Sequence, residues 1–163
     1  MKNLIIRKAT AEDAPIILNF IIELAIYEKA RHEVVASESD IVSSIFGSTS
    51  TTNAIICLLD DIPIGYAVYF FNYSTWLGKN GLYLEDLYIS SEHRGAGAGK
   101  AVLKYLAQVA VKKDCARLEW SVLTWNEPAI KFYESIGAQA QNEWVGYRLT
   151  GKSLDAFAST PSM

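Results

Sequence analysis

Two cysteines, two histidines and four prolines in 163 residues leave little material for a disulfide framework, a metal centre or a proline-rich linker. Cys57 and Cys115 both fall in apolar, strand-like stretches, which favours buried thiols over a disulfide, a metal ligand or a nucleophile. Neither His32 nor His93 has a second ligating residue at helical or Cys-x-x-Cys spacing, so no metal is expected, and a loop histidine in solvent is the expected state of His93. Basic charge is not in excess. Fifteen Lys and Arg stand against eighteen Asp and Glu, a net charge of -3, which supplies no field for nucleic acid and suits a cationic substrate. No apolar run approaches the roughly 18 residues needed to span a bilayer, and Met1-Lys2-Asn3 leads into a strand rather than a signal peptide. A cytoplasmic protein without a membrane or nucleic-acid partner is therefore expected. Linkers, internal repeats and low-complexity segments are also missing, so one domain over 1–163 is expected, with half of its residues apolar and available for a core.

What is present reads as alternating strands and helices. Leu4 to Ile6 is a strand, and Thr10 with Asp13 opens a helix carrying Ile16, Ile17, Phe20, Ile21 and Leu24. Tyr27 to Ala36 is a loop, after which Ser37 with Asp40 caps a second helix that Gly47 ends. Ala54–Leu59, Ile64–Tyr73 and Gly81–Ile89 form an antiparallel meander, with Asp60-Asp61-Ile62-Pro63 as a turn and Trp76-Leu77-Gly78-Lys79 near a hairpin tip. Gly99 to Lys113 is a helix, Arg117 to Leu123 a strand, and Asn126 caps a helix with Pro128 in its first turn and Gly137 beyond its end. Val145 to Leu149 is the expected last strand, and the tail frays from Ser159. This order predicts an α/β fold, a mixed, mostly antiparallel sheet flanked by helices.

One run is unusually informative. Arg94-Gly95-Ala96-Gly97-Ala98-Gly99 stands between a strand and a helix, where glycines admit close backbone approach and a helix start presents free N–H groups to an anion. A P-loop is excluded because position 94 is Arg where Gly is required and Ala101 follows Lys100. A dinucleotide fingerprint from Gly95 is excluded because position 100 is Lys. Arg-x-x-Gly-x-Gly remains, a pyrophosphate cradle with a fixed cation beside it.

That motif in that setting resembles the acyl-CoA loop of the GCN5-related N-acetyltransferase superfamily. Tyr27-Glu28, Trp76-Leu77-Gly78-Lys79, Leu82-Tyr83-Leu84-Glu85-Asp86 and Trp125-Asn126-Glu127-Pro128-Ala129-Ile130-Lys131-Phe132-Tyr133 are similar to segments of the diamine and thialysine acetyltransferases, in the same order from about Leu4 to Leu149. The resemblance implies the acyl-CoA N-acyltransferase fold, in which two parallel strands splay and acyl-pantetheine lies between them. It implies acetyl-CoA as cosubstrate, with Leu87, Tyr88 and Ile89 offering backbone groups, Arg94 to Lys100 cradling the pyrophosphate, and Asn126, Pro128 and Ala129 near the pantetheine arm. It also implies a small cationic amine as acceptor, held by Tyr27, Glu28 and Glu85, and a homodimer, for which the hairpin around Phe70, Phe71, Tyr73 and Trp76 is the candidate patch.

Acyl transfer to an amine needs a neutral nucleophile, a polarised carbonyl and a proton for the departing thiolate. At pH 7 only about one alkyl amine in two to three thousand is neutral, so carboxylates must hold the ammonium and take its proton. Glu28, Glu85 and Asp86 are the candidates. The last two are adjacent on a strand and point to opposite faces, so one faces the amine; by resemblance it is Glu85, as ligand or as base through a water. Burying Glu85 without purpose on an apolar strand would be costly. Spacing alone makes Tyr133 a helix-face aromatic packed with Phe132, whereas the resemblance makes it the acid that protonates the thiolate. A backbone N–H near Tyr88 is the implied oxyanion donor.

The match has gaps. Ser74-Thr75 replaces the Asp-Pro that precedes Trp-x-Gly-Lys in the diamine enzymes, and an acid near the final Gly-aromatic-Arg-Leu stretch is absent or displaced. Fewer acids suit a short amine better than a long polyamine. A protein or peptide amine as acceptor, and a non-catalytic acyl-CoA sensor, are the competing readings.

Overall fold

Short runs rich in β-branched and aromatic residues form five strands: β1 (Leu4–Lys8), β2 (Asn53–Leu59), β3 (Ile62–Ser74), β4 (Lys79–Ile89) and β5 (Leu118–Trp120). This is a computed structural model, and it describes residues 3–160. The strands form one sheet in the order β1-β2-β3-β4-β5, antiparallel except for the β4–β5 pair. Three helices accompany the sheet in the unit that ends at Leu123: α1 (Ala14–Tyr27), α2 (Glu38–Phe46) and α3 (Ala98–Lys112). The α/β class with a mostly antiparallel mixed sheet is as expected.

Local chemistry sets the helix starts. Ser37 accepts from the Asp40 N–H while the Asp40 carboxylate takes the Ser37 N–H, a reciprocal cap that begins α2. At α1, the Thr10 N–H donates to Asp13, whose two carboxylate oxygens each take one Arg7 nitrogen at 2.7 Å. That fork ties β1 to the helix entry, and the Arg7 guanidinium holds the Asp13 carboxyl below its ordinary range. One core lies under α1, where Ala14, Ile17 and Phe20 pack with Ile56, Tyr66, Val68 and Tyr88. The Phe20 ring stacks on Tyr66 at 5.9 Å and leans on Tyr88 at 6.3 Å. On α3, Val102, Leu103, Leu106 and Ala110 are buried at helical spacing.

Several elements depart from expectation. The turn before β3 is only Asp60-Asp61, both left-handed, which is the tight hairpin geometry that leaves Ile62 and Pro63 free to start the strand. β5 is three residues long rather than the seven of Arg117–Leu123, because its pairing with β4 stops at Leu84 opposite Trp120. Cys115 precedes β5 on a loop and is half-exposed; Cys57 is buried on β2, where desolvation raises its thiol to about 11. Trp76 is 87% exposed and Tyr73 59%, so the hairpin tip is not core.

The unit from Thr124 onward contains α4 (Glu127–Ser135) and α5 (Gly151–Ala158). Asn126 occupies the N-cap of α4 without making the expected side-chain capping bond, and Pro128 sits in the first turn. Left-handed Gly137 follows the helix, and Ala138 N–H closes back on the Tyr133 carbonyl. The expected strand over Val145–Leu149 is absent: residues 138–150 contain neither helix nor strand, and Tyr147 is 98% exposed. A strand pattern becomes a strand only where a neighbouring edge accepts its N–H and C=O groups. The α5 helix was not anticipated. Ser159 and Thr160 lie beyond its end, and the rest of the expected frayed tail lies outside the described residues.

Candidate active site

Strand β4 organises the candidate site. Its register with β3 runs Gly65 opposite Ile89 through Val68 opposite Asp86, then resumes at Tyr69 opposite Leu84, leaving Glu85 without a partner. Glu85 is thus the extra residue of a β-bulge, a device that re-aims side chains. The bulge corrects the burial argument made from sequence: Glu85 is exposed, and Asp86 is the carboxylate turned into the protein. Burial raises the Asp86 carboxyl above its ordinary range, opposed by the Tyr66 hydroxyl, which donates to Asp86 Oδ2 at 2.9 Å. Tyr66 itself is fully buried, and its phenol is pushed well up by desolvation and by the charges of Asp86, Glu28 and Glu85. Glu28, just past the end of α1, is raised by burial and then by repulsion from Asp86. Three carboxylates therefore gather about one phenol, an environment that attracts an ammonium.

The other end of β4 meets the glycine loop. From Glu85 to Ile89 the strand extends past its last pairing with β5, so along that side β4 has no strand partner among the described residues. This is the divergence of parallel strands that the resemblance implied, and it exposes an edge able to pair with an extended amide-bearing chain. Leu87 is half-buried and Tyr88 and Ile89 are buried on that edge. After a short 3-10 turn at Ser91–His93 comes the loop, with Gly95 and Gly97 both left-handed at φ 82° and 83°. Positive φ at these positions is what only glycine adopts at little cost. Ala98 begins α3, and a Cβ added at Gly95, Gly97 or Gly99 would meet nothing within 4 Å, so the loop is open in front of a helix N-terminus. The residues therefore fit an acyl-CoA: free strand edge, open anion cradle, helix start. Ala96 and Lys100 are exposed on the same stretch.

Arg94 is anchored by its neighbours. Its Nε donates to the Ile89 carbonyl at 3.0 Å, and its guanidinium lies 4.5 Å from the Tyr27 ring centre and 5.2 Å from that of Tyr88. Tyr27, expected at the amine, is thus joined to the cation of the cradle. His93 is not the solvated histidine expected: it is half-buried with Nδ1 enclosed and unpaired. His32 is exposed beside Glu33 at 3.3 Å. Among the described residues no group of three or more His, Cys, Asp or Glu is placed to hold a metal ion.

In the second unit, Tyr133 lies on α4 with its ring 5.7 Å from that of Phe132, and both are half-buried. Asn126, Pro128 and Ala129 form the start of that helix, and Lys131 is exposed 3.7 Å from Glu127.

The profile of the Acetyltransferase (GNAT) family matches residues 22–138. The chain belongs to this family. Members similar to it include the thialysine N-epsilon-acetyltransferase of Bos taurus, 37% identical over 97% of this chain and 99% of the relative. The L-ornithine N5-acetyltransferase of Arabidopsis thaliana is 33% identical over 93% of this chain and 86% of the relative. Among solved structures, an integron cassette protein from the mobile metagenome of V. cholerae superimposes with a TM-score of 0.81 at 30% identity, covering 96% and 98% of the two chains. As a GNAT member the chain is an N-acetyltransferase, and acetyl-CoA is the cosubstrate of its family.

Sequence reasoning overlooked Tyr66. The signal was available: Ile64, Tyr66 and Val68 share one face of β3, and a tyrosine at the centre of such a stripe needs a polar partner for its hydroxyl.

Proposed function

We propose that this GNAT enzyme transfers the acetyl group of acetyl-CoA directly to a primary amine of a small cationic acceptor, a lysine analogue such as thialysine or a short polyamine, with both substrates bound at once. The observation that carries this reading is the gathering of Glu28 from the end of α1 and Tyr66 from β3 about Glu85 and Asp86 of β4, the strand whose free edge leads to an open glycine cradle. The names of its relatives, which act on thialysine and ornithine, support the acceptor class.

In this reading, Arg94 to Lys100 and the 85–89 edge hold acetyl-CoA, which supplies the thioester carbonyl that the amine attacks. Asn126, Pro128 and Ala129 line the pantetheine arm. Glu28 and Asp86 bind the acceptor ammonium beside Tyr27, and its arrival gives their charges a partner. Glu85, exposed on the bulge, accepts the ammonium proton through a water. The Tyr88 N–H donates to the developing oxyanion. Tyr133 gives its phenolic proton to the departing thiolate, a transfer between groups of similar basicity that contributes about 10²- to 10⁴-fold.

The chain acts, we further propose, as one acetyltransferase domain over 1–163 and as a cytoplasmic homodimer. The family match running across both units supports the first. Free cysteines, no helix among the described residues long and apolar enough to cross a membrane, and exposed Tyr73, Trp76 and Leu77 support the second. Sedimentation at micromolar concentration giving only monomer removes the dimer. The activity is tested by CoA release with spermidine, spermine, putrescine, thialysine, lysine and a lysine peptide, followed by product mass. Turnover of one small amine supports the proposal, whereas turnover of the peptide alone replaces its acceptor.

A further inference from the structure

The sheet face that carries the carboxylate cluster continues past the bulge to a second group of charges. From Gly65 onward β3 carries no extra residue of its own, so Tyr66, Val68, Phe70 and Asn72 project to one side. Tyr66 meets Asp86 there. Further along, Phe70 packs on Tyr83 with ring centres 5.3 Å apart, and Asn72 Nδ2 donates to Glu119 Oε2 at 3.1 Å. Glu119 stands opposite Tyr83 in the parallel β4–β5 ladder, and the Tyr83 and Ser121 hydroxyls meet at 2.8 Å, which puts Glu119 on the same face. Arg117, two residues earlier, donates from Nε to Glu119 Oε2 at 2.7 Å.

Two features separate this group from an ordinary surface ion pair. Asn72 Oδ1 is enclosed with no hydrogen-bond partner, a cost that a structural pair has no reason to carry. Opposite Asn72 stands Gly81, where any side chain would press on both Asn72 and Arg117, so the strand leaves room for these two groups. Arg117 and Glu119 retain 39% and 34% side-chain exposure, so a ligand can reach both.

We propose that Arg117 and Glu119, the latter held in place by Asn72, form a subsite for the α-amino-acid head of a diamino acid acceptor. The guanidinium takes the α-carboxylate in its planar fork, and Glu119 takes the α-ammonium. The proposal rests on the acceptor reading above and narrows it. Two residues along the sheet and one strand across put the Glu119 backbone about 8 Å from that of Asp86. Five bonds of roughly 1.5 Å carry the distal nitrogen of a lysine-like side chain about 6 Å from its α-carbon, so one molecule spans both groups. A simple diamine engages Glu119 and has nothing for Arg117.

The test compares thialysine with its decarboxylated diamine in the native enzyme and in Arg117→Gln and Glu119→Gln, by CoA release. Arg117→Gln is expected to raise KM for thialysine about tenfold to a hundredfold while leaving KM for the diamine unchanged or lower, because Glu119 is freed. Glu119→Gln raises KM for both. The diamine serves as the folding control, since a misfolded variant loses both substrates; its thermal melt then decides, and Arg117→Lys, which keeps the charge and loses the fork, repeats the comparison. Equal effects of Arg117→Gln on the two substrates in a folded variant, or no effect on either, overturn the subsite while the acetyltransferase reading stands. No turnover of any small amine by the native enzyme overturns both.

Discussion

The Tyr66 hydroxyl donates to Asp86 at 2.9 Å from the centre of the core, and it is the hydrogen bond that opposes the effect of burial on that carboxyl. Removing it with Tyr66→Phe leaves a desolvated carboxylate without its donor. The variant is expected to lose about 1–3 kcal/mol of stability, and the acid limb of its activity is expected to move to higher pH, since burial alone then sets the Asp86 carboxyl. Urea titration and a pH–rate profile of kcat/KM read the two effects.

Asp86→Asn tests the sign of the same interaction. A carboxyl raised in the folded state binds its proton more tightly there than when unfolded, so its contribution to stability is present at low pH and is lost as pH rises through the folded value. Asp86→Asn is therefore expected to melt above the native protein at pH 7 to 8, with the difference shrinking as the pH falls towards 4. Its kcat/KM for the amine is expected to drop about tenfold to a hundredfold, for loss of a charged hydrogen-bond partner. Melting curves across pH and amine kinetics at saturating acetyl-CoA check both.

The Arg7–Asp13 fork carries the opposite dependence. Asp13 is lowered in the folded state by the guanidinium, so its contribution is present above the unfolded value and is lost as pH falls through the folded one. Asp13→Ala is expected to cost about 1–2 kcal/mol at pH 7, from the cap and the half-exposed pair together, and to cost little in strong acid. Denaturant midpoints at pH 7 and pH 3 read it.

Two glycines separate shape from strain in the cradle. Gly99 has ordinary helical backbone and open space ahead of it, so Gly99→Ala is expected to keep or raise the melting temperature while weakening acetyl-CoA by filling the cradle. Gly97 is left-handed, and Gly97→Ala adds about 1–2 kcal/mol of strain to the same loss. Calorimetric titration with acetyl-CoA beside thermal melting distinguishes them.

Much of this architecture was legible because local rules agreed with one another. The Ser37–Asp40 box, the meander strands and the glycine loop before α3 all lie where composition and period put them. Non-local facts were not legible. The bulge at Glu85 exists because β3 and β4 are out of step by one residue, and nothing in Leu84-Glu85-Asp86 announces that; it exchanges which carboxylate is buried. Val145 to Leu149 alternates as a strand does, yet a strand requires an edge, and its pattern says nothing of whether one is offered. Tyr66 was visible as an inward-facing residue, but its partner arrives from twenty positions later in the chain.

The most direct test of the account is single-turnover acetyl transfer from acetyl-CoA to thialysine by the native enzyme and by Tyr133→Phe, with acetyl-CoA affinity measured on both. The account predicts N-acetylated product from the native enzyme, and in the variant an unchanged affinity with kcat lower by about 10²- to 10⁴-fold. Full turnover by the variant would contradict the assignment of Tyr133, and tight acetyl-CoA binding with no product from any amine would contradict catalysis itself.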